Sequence, residues 1–168
     1  MLITYGLVID ARKLFPFVEY PIWNIPSYVL SARRKAVHSF HVLEKNSLSP
    51  EWFANVERKD GLDYEQDKVV PLKSVFQKST LRESKRLVDM FVAFNQNLLN
   101  CGIMDKYLNI STNFGLNARG EMVLVDIGDL LDDEALLLHQ RREGIWSKNY
   151  VVDEITRESV RNYFVSQM

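Results

Sequence analysis

The stretch from Thr80 to Leu99 carries the longest helix pattern in the sequence. Thr80 and Glu83 have the spacing of a capping box, in which each side chain satisfies a backbone N–H at a helix start. Apolar residues then recur at steps of three and four: Leu87, Val88, Phe91, Phe94, Leu98 and Leu99. Gly102 follows where a helix commonly ends. The pattern predicts a long helix with one buried face, which the rest of the chain has to cover.

Length and composition favour a single packed domain. The chain has 168 residues, of which 46% are hydrophobic and 26% are charged, and these are ordinary values for a globular protein. A chain of this size buries roughly two thirds of the surface that its unfolded form exposes, so it needs no disulfide or structural metal to fold. We therefore expect one domain over residues 1–168.

The order of strand and helix patterns predicts an α+β fold rather than alternating α/β. An N-terminal β-hairpin is expected within residues 1–22, from the β-branched and aromatic runs Leu2–Ile9 and Leu14–Tyr20. A mainly helical region is expected over residues 25–168. Its other predicted parts are a helix capped by Ser27, a short helix over Ser47–Val56, an exposed loop over Glu57–Lys68, a small internal β-hairpin, and helices near Asp132–Arg142 and Asp153–Ser166.

Charge and cysteine content restrict the partners and the compartment. The 21 basic and 22 acidic residues nearly cancel, whereas a nucleic-acid-binding protein usually has a basic excess that neutralises phosphates. No stretch approaches the 18 or so apolar residues of a membrane span, and the N-terminus lacks the pattern of a signal peptide. Cys101 is the single cysteine, which fits a reducing compartment. We expect a cytoplasmic protein that binds neither nucleic acid nor membrane.

The region from Gly102 to Asp133 contains the residues most able to do chemistry. Asp126 ends the apolar strand pattern MVLVD, and Gly128 lets the backbone turn sharply after it. A turn at residues 118–120 would fold this strand back along the segment that follows Asn113. An aspartate and an asparagine that meet on such a ribbon offer the hard oxygen ligands that Mg²⁺ prefers. Asn113 and Asp126 are therefore candidate metal ligands.

This arrangement resembles the protein-kinase-like fold, in the C-terminal lobe. In that family a helix precedes a catalytic loop that ends in Asn, a hairpin follows, and a metal-binding Asp-Phe-Gly triplet lies on the second strand. Asp126-Ile127-Gly128 is similar to that triplet, and Asn113, 13 residues earlier, is similar to the catalytic-loop Asn. The resemblance implies that Thr80–Leu99 is the central helix of the lobe. It also implies Mg²⁺ and ATP as cofactors of an active member.

The sequence departs from the family pattern at the catalytic base. The base of the family stands five residues before the loop Asn, and Leu108 occupies that place here. A leucine cannot accept a proton, so the remaining candidate for a catalytic residue is Asp105, eight residues before Asn113. No residue before Leu2 supplies the Gly-rich phosphate loop or the ATP-binding Lys of the family. We therefore expect the nucleotide-binding parts to be missing from this chain.

Simpler interpretations exist for each of these residues. Asp126 could cap a following helix, and Asn113 could be a left-handed turn residue. Asp105 is more typical of a loop or cap position than of a base. The acidic residues Asp129, Asp132 and Asp133 lie around a predicted helix start, where the helix dipole favours negative charge, and are expected to be solvated rather than to bind a metal.

Three functional hypotheses follow from these residues. The first is a non-catalytic, kinase-like domain that acts by binding another protein chain. The second is a phosphotransferase with a reduced N-terminal lobe, which uses Asp105 as base and holds magnesium with Asn113 and Asp126. The third is a small interaction or inhibitor protein unrelated to kinases.

Overall fold

The structure of the protein is a computed structural model that describes residues 25–59, 64–144, 155 and 157–168. The predicted N-terminal hairpin over residues 1–22 lies outside this range. Within it, the helices are α1 Ile25–Lys45, a 3₁₀ helix at Pro50–Phe53, α2 Leu72–Lys78, α3 Leu81–Asn100, α4 Glu134–Arg142 and α5 Glu158–Gln167. The strands are β1 Glu57–Arg58, β2 Tyr64–Glu65, β3 Val70–Pro71, β4 Met104–Asp105, β5 Phe114–Leu116, β6 Met122–Leu124 and β7 Leu130–Leu131. Mainly helical segments with small antiparallel sheets confirm the predicted α+β class.

The helix α3 is the centre of the hydrophobic core, as its sequence pattern predicts. Thr80 caps it with the expected capping box: the Glu83 backbone N–H donates to Thr80 Oγ1 at 3.3 Å, and the Thr80 N–H donates to Glu83 Oε2 at 2.7 Å. The apolar face is buried and meets two other elements. The ring of Phe91 lies 4.7 Å from that of Phe114 in β5 and 5.7 Å from that of Phe164 in α5. The internal hairpin and the last helix therefore cover the face of α3.

The internal β-hairpin has the predicted position and turn. Strands β5 and β6 pair antiparallel, with Phe114 opposite Leu124 and Leu116 opposite Met122. The Gly120 N–H donates to the Asn117 carbonyl at 2.9 Å, and Gly120 has a positive φ of 76°, a conformation that glycine adopts at little cost. The strand β3 adds to the outer edge of β5, which gives a three-stranded sheet in the order β3-β5-β6.

A second pairing, between β4 and β7, closes the region around the candidate site. Met104 lies opposite Leu131 and Asp105 opposite Leu130. The Leu130 N–H donates to the buried Ser39 hydroxyl of α1 at 3.2 Å. This pair is absent from the sequence predictions, and it joins the segment after α3 to the segment after the hairpin and to α1.

Three local predictions are wrong. The helix α1 already includes Ile25, so Ser27 lies inside the helix and is not its cap. The expected helix over Ser47–Val56 is limited to the 3₁₀ turn, because Ala54 adopts a left-handed φ of 51° directly after it. The expected loop over Glu57–Lys68 contains the antiparallel pair β1 and β2, with Arg58 opposite Tyr64, although the described residues there are mostly exposed as predicted.

Candidate functional site

Four polar residues lie at or near the ends of strands in the two small sheets, β3-β5-β6 and β4-β7. Asp105 is the last residue of β4, and Asn113 directly precedes β5. Asp126 follows β6 by two residues, and Asp129 directly precedes β7. Because β7 pairs with β4, the chain returns after the hairpin to the place where the loop began. The topology therefore gathers these four residues at one end of the sheets.

The backbone joins Asn113 to Asp126 directly. The Asn113 carbonyl accepts hydrogen bonds from the Val125 N–H at 2.7 Å and from the Asp126 N–H at 3.3 Å. A third residue holds the same segment, since the Gln66 amide donates to the Val125 carbonyl at 3.1 Å. The two candidate metal ligands are therefore backbone neighbours across the ribbon.

The side chains of the two candidate ligands already bind groups within the protein. The Asn113 amide nitrogen donates to Asp105 Oδ2 at 2.9 Å, and its amide oxygen accepts from the Thr112 hydroxyl at 3.1 Å. Asp126 is exposed, and its Oδ1 accepts from the Gly128 N–H at 3.0 Å, which forms a tight turn rather than a helix cap. Asn113 Oδ1 would have to exchange the Thr112 hydroxyl for an ion. A shared magnesium site for Asn113 and Asp126 stays a prediction.

Asp105 is the most unusual residue of the group. It is 0% exposed, and it lies in a strand, so the interpretation as a loop or cap residue is wrong. Its Oδ2 accepts the Asn113 hydrogen bond, whereas its Oδ1 is buried without a hydrogen-bond partner in the described part of the chain. A buried acceptor without a partner costs about 1–3 kcal/mol, and more if it is charged. The site therefore contains a carboxyl group whose charge is poorly compensated.

Burial raises the pKa of Asp105 from 3.8 to about 7. The Asn113 hydrogen bond and the nearby Tyr107 backbone N–H lower the pKa, and the negative charges of Asp126 and Asp129 raise it. A carboxyl group with such a pKa changes protonation state near neutral pH, as a general base does. However, the side chain has no surface through which a substrate could reach it.

Leu108, five residues before Asn113, is also buried. It is 2% exposed and has a positive φ of 48°. This conformation costs a residue with a Cβ about 1–2 kcal/mol, so the surrounding structure has to hold it. The loop between Asp105 and Asn113 therefore turns an apolar side chain into the core.

The acidic cluster after the hairpin is tied to α1 instead of being fully solvated. Lys35 Nζ lies 2.8 Å from Asp129 Oδ1, and Lys45 Nζ lies 3.0 Å from Asp132 Oδ2. Asp133 Oδ1 accepts from the Leu136 N–H at 3.0 Å and so binds the first turn of α4, a role that fits its predicted place at a helix start. Asp129 and Asp132 are therefore partly exposed and paired with lysines of α1.

No protein-family model, curated protein or solved structure matches this chain. Within the ranges that the structure describes, no helix is long and apolar enough to cross a bilayer. The same residues contain no group of three or more His, Cys, Asp or Glu side chains placed to hold a metal ion. The likeness to kinase-like proteins thus stays a prediction that depends on the residues named above.

Proposed function

We propose that this chain is a non-catalytic, kinase-like domain that acts by binding another protein in the cytoplasm. The observation that carries the proposal is the complete burial of Asp105. Catalysis by a general base requires hydrogen-bond contact between the base and the proton that it removes. A carboxylate enclosed by the core, with one oxygen bonded to Asn113, has no such contact with a substrate.

The other residues of the loop support the same function. Leu108 takes the position of the family's base, and its side chain is in the core. Asn113 uses both atoms of its amide inside the protein. In this proposal, the residues that resemble a catalytic site hold the loop in place through their contacts inside the protein.

An exposed aromatic residue of the same loop is suited to contact a partner. Tyr107 is 40% exposed, and its ring centroid lies 5.3 Å from Lys106 Nζ and 5.9 Å from Lys35 Nζ. Tyrosine is enriched at protein interfaces, because its ring buries apolar area and its hydroxyl forms hydrogen bonds. The ammonium group of Lys106 next to the ring favours a partner with an acidic group.

The proposal is tested first by a search for nucleotide binding and phosphoryl transfer. The full chain is titrated with ATP and Mg²⁺, separately and together, while its thermal unfolding is followed. We expect no shift, whereas a ligand at about 100 times its dissociation constant would stabilise the fold by about 2.7 kcal/mol. A magnesium-dependent ATP shift that Asp126→Ala removes, together with transfer of labelled phosphate, would overturn the proposal.

Partner binding is tested by site-specific photo-crosslinking in cells. A photoreactive amino acid replaces Tyr107, and a matched variant carries it at Arg119, which is exposed in the β5–β6 turn. We expect one discrete adduct at position 107 and none at position 119. Equal or diffuse labelling at the two positions would argue against a partner surface at this loop.

The phosphotransferase hypothesis keeps one observation in its favour. The pKa of Asp105 at about 7 is the value that suits a base at physiological pH. For this function, the loop would have to open and bring Asp105 to the surface, and the ATP titration above would then show a shift only in the presence of a partner chain.

A further inference from the structure

The helix α4 buries only one of its three consecutive leucines. Leu137 is buried, whereas Leu136 is 46% exposed and Leu138 is 43% exposed. Successive side chains of a helix point about 100° apart, so the core cannot cover three in a row. The outer side of a surface helix usually carries polar residues. The outer side of α4 therefore presents apolar area that the described part of the chain leaves open to solvent.

Glu134, Leu138 and Arg142 form a ridge along the exposed side of α4. They follow one another at steps of four, so their side chains lie in one row on the helix surface, and all three are exposed. Leu138 is the middle residue of Glu134–Arg142, with an acid at the first position of the helix and a base at the last. Ala135 next to the ridge is also exposed, and its short side chain lets another helix come close.

The ridge is complementary to a second copy of itself. When two α4 helices cross antiparallel at Leu138, the Glu134 of each copy meets the Arg142 of the other, and the two leucines meet at a two-fold axis. Opposite charges then pair at both ends of the contact. A parallel crossing would bring like charges together at both ends, so the charge pattern favours the antiparallel orientation.

The two end charges of the ridge are available for such a contact. Among the residues that the structure describes, neither Glu134 nor Arg142 forms an ion pair. In contrast, Asp132 just before the helix is already paired with Lys45 of α1. The formal net charge of the chain is -1, so long-range repulsion between two copies is small.

We propose that two copies of this chain associate through the Glu134–Leu138–Arg142 ridge, as an antiparallel pair of α4 helices. Two helices of 9 residues each bury less than the roughly 1,200 Å² of a standard stable interface. The dimer is therefore reversible and forms only as the protein concentration rises. This inference does not depend on the kinase-like function.

Sedimentation velocity of the full chain over a range of concentrations tests the association. We expect the average sedimentation coefficient to rise from the monomer value towards the dimer value. Leu138→Lys should weaken dimerisation about tenfold or more, because it removes the apolar contact and places two like charges at the two-fold axis. Leu81→Lys is the matched control: Leu81 is 46% exposed at the start of α3, away from the ridge, and its substitution should leave the dimerisation constant unchanged.

Two charge reversals test the antiparallel orientation. Glu134→Arg and Arg142→Glu should each disrupt the dimer, since each brings like charges together at both ends of the contact. An equimolar mixture of the two variants should dimerise as the unsubstituted chain does, because every end then faces an opposite charge. A variant that had failed to fold would not be rescued in this way. The same mixture with Leu138→Lys in both chains should stay monomeric, which separates the ridge contact from general charge attraction.

Three results would overturn the proposal. A chain that stays monomeric at every concentration would leave the ridge to a different protein. Equal weakening by Leu81→Lys and Leu138→Lys would place the contact between copies elsewhere. A mixture of the two charge variants that shows no rescue would rule out the antiparallel crossing.

Discussion

Asp105 and Asp132 lie at opposite ends of the same strand pair: Asp105 ends β4, and Asp132 directly follows β7. Asp105 is enclosed by the core, and its charge faces a neutral amide. Asp132 lies next to the end of α1, where Lys45 forms an ion pair with it. Burial therefore raises the pKa of Asp105 to about 7, whereas the Lys45 hydrogen bond lowers the pKa of Asp132. The partner of each carboxylate decides whether its charge stabilises the fold.

The two residues make stability depend on pH in opposite directions. The folded state binds a proton at Asp105 more tightly than the unfolded state, whose pKa is near 3.8. Stability from this group is therefore greatest below the unfolded pKa and falls as the pH rises towards about 7. Asp132 has a lowered folded pKa, so its contribution is present above the unfolded pKa and is lost as the pH falls through the folded pKa.

The largest effect is expected from Asp105→Asn. The amide has nearly the same shape and no charge, so it removes the cost of burying a carboxylate. At about pH 8 the free energy of unfolding should rise on the order of 3 kcal/mol, and at about pH 4 it should change little. Urea unfolding at several pH values measures this. The exposed Glu44→Gln serves as a control and should leave the pH dependence unchanged. An Asp105→Asn profile parallel to that of the unsubstituted chain would contradict the comparison.

A smaller loss is expected from Asn113→Ala, which takes away the side-chain hydrogen bond of Asp105 Oδ2. The free energy of unfolding should fall by about 2 kcal/mol at about pH 8. In an Asp105→Asn background the loss should be smaller, because the acceptor is then uncharged. A double-mutant cycle measures the coupling between the two positions. Zero coupling would mean that Asn113 does not stabilise the Asp105 carboxylate.

Asp132→Asn tests the other side of the comparison. It should lower the free energy of unfolding by up to about 1 kcal/mol at neutral pH and low salt, as expected for a partly exposed ion pair. In about 1 M NaCl the loss should shrink, because the screening length falls to about 3 Å. The Asp105→Asn gain should persist under the same salt, since that group is shielded from ions. A salt-independent Asp132→Asn effect would indicate a role in packing rather than in charge pairing.

The smallest effect is expected from Lys35→Met, which keeps most of the apolar stem and removes the ammonium group near Asp129. We expect a loss of about 0.5 kcal/mol at low salt and almost none at high salt. Arg34→Met, at the neighbouring exposed position of α1, is the matched control and should have no comparable effect. Equal losses for the two variants would show that the Asp129 pair adds nothing beyond general surface charge.

Local patterns were sufficient to predict α3 and the hairpin. Both depend on signals within about 20 residues, namely the Thr80–Glu83 capping box and the turn before Gly120. The strands β4 and β7 are two residues long each, too short for an alternating pattern to show. Their pairing places Asp105 opposite Leu130, and no pattern within a short stretch of the sequence predicts that contact.

The candidate site could be predicted only in part, because part of it depends on the same β4–β7 pair. Asn113 and Asp126 belong to the hairpin and could be singled out, and Asp105 was named as the alternative base. Its burial could not be predicted, because that depends on the β4–β7 pair. Likewise, Asp129 and Lys35 form an ion pair although they are 94 residues apart in the sequence. No sequence pattern distinguishes these two residues from the other charged residues, so their pairing could not be predicted.

Gly115 in β5 lets the edge strand β3 approach closely. A Cβ at this position would lie 2.9 Å from the Val70 carbonyl oxygen and 3.0 Å from the Val69 side chain. Without it, β3 presses against β5, and the Lys73 N–H just beyond donates to the Ser111 carbonyl at 3.0 Å. A side chain at position 115 would therefore push β3 away from β5 and strain the hydrogen bond that ties the edge strand to the loop.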